Sequence, residues 1–101
     1  MVIHEEVKAV IEGSAFVSLV TMGRDNIPHP VVAGRGEVAG DTVVFGIYKM
    51  EKTQKNLAEN KNAWIVAATM DGGPKGYRLC GTAEVRDKQL IFTPAAAEAL
   101  I

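Results

Sequence analysis

A mainly β, α+β domain, folded as a small antiparallel barrel with short flanking helices, is what this sequence predicts. Three observations carry that expectation. Short apolar runs rich in Val, Ile, Phe and Thr recur at close spacing. Clusters of Gly, Pro, Asn and Asp separate them, and helical periodicity is confined to brief stretches. The chain of 101 residues suits one domain spanning 1–101, and 48% hydrophobic residues suffice for a small core. A core that small leaves oligomerisation as a source of further stability.

The elements follow in order. Ile3, Val7, Val10 and Ile11 fall on one helical face with Glu5, Glu6, Lys8 and Glu12 around it, and Gly13 ends the helix. Ala15 to Met22 reads as a strand, and Gly23-Arg-Asp-Asn26 as a turn. Pro28 and Pro30 flank His29 and predict that the next strand starts irregularly or at an edge. Val31 to Val38 continues it, broken by Gly34 and Gly36, where a bulge or a close backbone approach by a ligand is expected. Ala39-Gly40-Asp41 turns the chain into a strand from Thr42 to Tyr48.

Lys52 to Asn60 is expected to be a short helix, with Thr53 as N-cap and Leu57 as buried anchor. Ala63 to Met70 is the most uniformly apolar run, hence a central strand. Gly76 to Val85 follows the turn at Asp71-Gly-Gly-Pro74, and Arg86-Asp87-Lys88 turns the chain into Gln89 to Thr93. Pro94 fits the first turn of a closing helix, Ala95 to Ile101. The chain stops in the middle of that helix on apolar residues, so a final element is expected to be missing.

Composition narrows the function. A net charge of −1 lacks the basicity of a nucleic-acid binder, and no apolar run approaches the roughly 20 residues of a membrane span. The single cysteine, Cys80, and an N-terminus without a basic signal region point to the cytoplasm. No His, Cys, Asp or Glu cluster has metal-ligand spacing, and Gly34-Arg-Gly36 opens no helix and is no dinucleotide fingerprint. Ser14 and Ser18 have no histidine and acid nearby in sequence. Cys80, Trp64 and Tyr77 read as core or interface residues.

The stretch Met50-Glu-Lys-Thr-Gln-Lys-Asn-Leu57 carries the chemistry. A strand end feeding a helix that opens with Lys52 and Thr53 offers free N–H groups, a hydroxyl and an ammonium where the helix dipole is positive. That is a seat for a phosphate; a solvated lysine beside an ordinary N-cap is the plainer reading of the same two residues. Arg35 is either a bidentate phosphate ligand or a surface arginine. His29 either donates to a ligand or closes its loop, and Lys75 and Arg78 bracket a strand start where a phosphate could use either, Lys75 reading first as a surface charge.

The ordered set Phe16-Val-Ser-Leu-Val-Thr21, His29-Pro-Val-Val32, Lys52-Thr53 with Asn56-Leu57, and Gly76-Tyr-Arg-Leu-Cys-Gly81 resembles the FMN-binding split-barrel family related to pyridoxamine 5'-phosphate oxidase, and within it the small bacterial FMN-binding proteins. The resemblance implies a six-stranded antiparallel split β-barrel, a homodimer, and FMN across the subunit interface. It implies that Lys52 and Thr53 contact the FMN phosphate. Val31, Val32, Ala33 and Gly34 would line the isoalloxazine ring through backbone groups, and Gly46, Ile47 and Met50 would approach the ring or ribityl chain. The expected function is an FMN flavoprotein in electron transfer or a small flavin-dependent reductase, its redox partner open and its turnover undecided. A non-enzymatic module for another ligand or a protein partner is the alternative.

Overall fold

The computed structural model describes residues 1–101 as two helices and a single seven-stranded antiparallel sheet. The elements are α1 (Glu5–Gly13), β1 (Val17–Met22), β2 (Pro28–Ala33), β3 (Glu37–Ala39), β4 (Thr42–Gly46), α2 (Glu51–Glu59), β5 (Asn62–Thr69), β6 (Lys75–Arg86) and β7 (Gln89–Ala99). Their order across the sheet is β2-β1-β5-β6-β7-β4-β3. The two end strands, β2 and β3, are consecutive in the chain, with only Gly34, Arg35 and Gly36 between them. Three residues span about 10 Å, so the sheet must curl until its ends meet. Those ends are not paired with each other, and the barrel is split there.

The split also explains why there are seven strands where six are expected. The run Val31 to Val38 divides at Gly36, where a Cβ would stand 2.8 Å from Val43 Cγ1 and 3.2 Å from Ile11 Cγ2. Only glycine lets the chain dive that close to the core, and the ladder breaks as it does so. The prolines behave as expected, since β2 is an edge strand and has no need of their missing N–H groups.

Period-two alternation fills the barrel. Val17, Leu19, Ile65, Leu79, Leu90 and Phe92 point inward and are fully buried, with Val43 and Phe45 from β4. α1 closes one end with Val7, Val10 and Ile11, and Leu57 of α2 reaches the same core. Ser14 ties α1 to β5: its hydroxyl is shared between the carbonyls of Val10 and Ala68 at 2.7 and 2.8 Å and accepts from Ala68 N at 3.1 Å. The serine is a structural clasp. Asp41, in the β3–β4 turn, accepts from Ile3 N at 2.8 Å and Val2 N at 3.2 Å, which docks the chain ahead of α1.

The closing helix expected over Ala95 to Ile101 is a strand instead. β7 runs on to Ala99, pairing Ala96 with Cys80, Ala97 with Leu79 and Glu98 with Arg78. Alanine favours helix by only a few tenths of a kcal/mol per residue, and a long unsatisfied edge on β6 outweighs that. A register shift at Cys80/Gly81 accommodates Pro94, opposite Gly81. A Cβ at Gly81 would lie 2.1 Å from Thr93 O, so the two backbones meet there only because residue 81 is glycine.

The other face of the sheet is only partly covered. Val32, Ser18 and Val66 form one row across β2, β1 and β5; Val20, Trp64, Cys80 and Ala96 form the next. Phe16 and Val32 stand 70% and 66% exposed. No helix is long and apolar enough to cross a membrane.

Candidate functional site

After Gly46 the chain leaves β4, and Ile47 N donates to Lys88 O at 3.1 Å. Lys49 and Met50 then both take left-handed backbone, with φ of 62° and 54°. Two such residues in succession, neither glycine, cost energy that the surrounding structure must offset. They turn the chain sharply into α2. Gln54 holds the turn from inside: its Nε2 donates to Lys49 O at 2.7 Å and its backbone N to Met50 O at 3.0 Å.

Met50, not Thr53, is the N-cap, and no side chain caps the helix. Its first-turn amides are therefore free to donate to an anion. Thr53 falls one turn too late to cap because the left-handed pair lets helical geometry begin at Glu51. The Thr53 side chain is 1% exposed, and its hydroxyl has no hydrogen-bond partner. An orphaned buried hydroxyl in the first turn of an uncapped helix fits a group that accepts hydrogen bonds.

Lys52, exposed on the same turn, opens onto a cleft of about 440 Å³ with Arg24, Asp25, Lys55, Asn56 and Glu59. Arg24 reaches over α2 to Glu59 at 3.2 Å. Lys55 and Asn56 follow Lys52 at helical spacing and were within reach of a sequence argument. Arg24, brought in by the β1–β2 turn, was not.

A second cleft, about 460 Å³, lies at the split of the barrel and gathers Glu12, Arg35, Gly36, Glu37, Val44, Gly46 and Gln89. Arg35 Nη1 donates to Glu12 O at 3.4 Å, and Val38 N donates to Glu12 Oε2 at 3.1 Å. At Gly34 and Gly46 a Cβ would meet nothing within 4 Å, and neither glycine needs a positive φ. Bare backbone beside open space is a cradle that a flat ring could occupy.

The structure thus divides the residues singled out in the sequence. Arg35 and Gly46 share the split cleft, and Gly34 adjoins Arg35 in the chain. Lys52 lines the other cleft. Val31 and Ala33 turn toward the core and can offer a ligand only their backbone, whereas Val32 points outward. Ile47 and Met50 are half-buried against the core. His29 lies on the core side of β2, opposite Thr21.

The family described as pyridoxamine 5'-phosphate oxidase matches residues 3–99. The chain belongs to that family. Among solved structures, this family member is similar to HupZ of Group A Streptococcus at 18% identity, covering 97% of this chain and 94% of that one with a TM-score of 0.83. An FMN-binding protein from Syntrophomonas wolfei is 16% identical, with 93% and 83% covered and a TM-score of 0.77. HutZ, the heme storage protein of Vibrio cholerae, is 12% identical, with 98% and 95% covered and a TM-score of 0.72. At these identities the likeness concerns the fold. No curated protein matches the chain in sequence.

Proposed function

We propose that this protein binds FMN as a two-fold homodimer and serves electron transfer or a flavin-dependent reduction in the cytoplasm. The start of α2 carries the reading. It combines uncapped first-turn amides, the Lys52 ammonium and a buried Thr53 hydroxyl without a partner, in a member of the pyridoxamine 5'-phosphate oxidase family. A phosphate dianion would accept from the amides and the ammonium, and from the Thr53 hydroxyl, which lines neither cleft, once that side chain turned outward. Gly34 and Gly46 would let a flat ring lie against backbone, with Val31 to Ala33 offering main-chain groups and Arg35 beside them. Ile47 and Met50 would supply the apolar side of the seat. A bound flavin would contribute electron or hydride transfer; this chain's residues would orient it and set its surroundings.

The homodimer reading rests on the outward sheet face. Phe16 and Val32, largely exposed, border Val20, Trp64, Val66 and Cys80, an apolar surface that a second copy would cover. Sedimentation at micromolar concentration is expected to give a dimer, and a monodisperse monomer would count against it.

The fold shared with HutZ supports a second reading, a haem-binding or other non-enzymatic module. Neither histidine favours it: His4 precedes α1, His29 faces the core side of β2, and neither lines the two clefts. Denaturing the purified protein and weighing what it releases separates the readings. Released FMN near one per chain is expected; haem, or no cofactor after reconstitution with FMN, would overturn the proposal.

A further inference from the structure

α2 is nine residues long, and its buried side chains are Thr53, Asn56 and Leu57. A helix this short is marginal alone and takes its place from packing. Leu57 is the one apolar anchor among the three, and a single apolar contact sets the depth of a helix without fixing its roll. Asn56 supplies the missing constraint. It is 2% exposed, and its Nδ2 donates to Thr21 Oγ1 at 3.1 Å, linking the helix to the inward side of β1. The fit on the third side is equally close. A Cβ at Gly23 would stand 2.5 Å from Asn56 Oδ1 and 3.3 Å from its Cγ, so the end of β1 leaves room for this amide and nothing larger.

Lys52 and Asn56 are four residues apart and therefore on one face, and both line the same cleft. Any roll that displaces Asn56 carries Lys52 and the free first-turn amides with it. We infer that Asn56, locked between Thr21 and Gly23, is a positioning residue for the phosphate seat at the start of α2. The inference rests on the FMN reading above and names the device that aims the seat. Its consequence is selective. The lock matters to a ligand group bound at the helix start and little to the ring, which would lie at the split of the barrel.

Fluorescence titration of the whole protein with FMN and with riboflavin tests this, with thermal melts followed by circular dichroism as a control on the fold. Asn56→Leu removes the hydrogen bond, and Gly23→Ala pushes the amide out of its position while residue 56 remains asparagine. Each is expected to weaken FMN binding about tenfold or more, as misplacement of a binding group does, while riboflavin stays within about twofold. Thr21→Ser keeps the hydroxyl and is expected to retain the wild-type preference for FMN. If Asn56→Leu fails to fold, Gly23→Ala decides. Equal losses for both flavins would make the lock merely structural, and unchanged FMN binding would leave it without a role in the seat; either overturns the inference. A wild-type protein that binds neither flavin, or binds both equally, would instead overturn the FMN phosphate reading beneath it.

Discussion

At the scale of single residues, the orphaned hydroxyl of Thr53 and the ammonium of Lys52 lead to opposite expectations. Thr53 is buried without a partner, so its hydroxyl costs stability in the protein alone. Thr53→Val keeps the shape and removes that cost. It should stabilise the unliganded protein by about 1 kcal/mol, roughly 4–8 °C in a domain of this size. The same change should weaken FMN. A variant that melted lower without cofactor would show that the hydroxyl has a partner in the folded protein. Lys52 is exposed and holds nothing in place, so Lys52→Ala should leave the melting temperature unchanged. It should cost on the order of 1.5–3 kcal/mol of FMN affinity, the range for a hydrogen bond to a charged group, and leave riboflavin unaffected. Equal effects on the two flavins would move the phosphate elsewhere, with Arg35 and Arg78 next to examine.

At the scale of elements, the glycines fall into two kinds that sequence alone does not distinguish. Gly36 and Gly81 sit where a Cβ would collide, at 2.8 Å from Val43 Cγ1 and 2.1 Å from Thr93 O. Gly34 and Gly46 face open space. Gly81→Ala should therefore destabilise by about 3 kcal/mol or more, since backbone on both strands would have to part. Gly46→Leu and Gly34→Leu should fold normally and exclude the flavin ring. Full flavin occupancy in both variants, read by absorbance, would remove the ring from the split of the barrel. Ala33 is no use as a steric probe there, because its side chain is in the core and a larger one would overpack it.

At the scale of the whole molecule, carboxylates hold α1 and the chain ahead of it against the barrel. Hydrogen bonds from Ile3 N and then Val2 N keep the Asp41 carboxyl below its ordinary range. The Tyr77 hydroxyl, aided by Lys75 against some desolvation, does the same for Glu6, and Glu6 in turn raises Tyr77. A lowered carboxyl stabilises above its unfolded pKa and loses that contribution as pH falls through the folded value; a raised phenol stabilises below its unfolded pKa and loses it as pH rises. The attachment should thus be firmest between about pH 5 and 9, given ordinary values near 4 and 10. Because Glu6 is exposed and Asp41 and Tyr77 are only half-buried, the effect is local loosening. Amide hydrogen exchange in α1 should accelerate, relative to β5 after correction for intrinsic rates, on going from pH 7 to pH 3.5. A constant ratio would mean that the apolar face of Val7, Val10 and Ile11 holds the helix unaided.

Periodicity and turn chemistry were enough to find α1, most of the strands and the helix that follows β4, because those signals are local: alternation buries one side of a strand, and Gly40 or Asp87-Lys88 turns the chain wherever it occurs. The ordered motifs likewise led to the family and to Lys52. Three things were settled only by distant contacts. Ala95 to Ala99 became strand because β6, many residues away, offered unpaired backbone that helix propensity could not outweigh. Thr53 went inside because Lys49 and Met50 turn left-handed, a choice their side chains do not announce. Arg24, Thr21 and Gly23 came to α2 because β1 ends beneath it. Sequence spacing records what neighbours along the chain do to each other; which backbone approaches which, and how closely, is decided by closing the barrel.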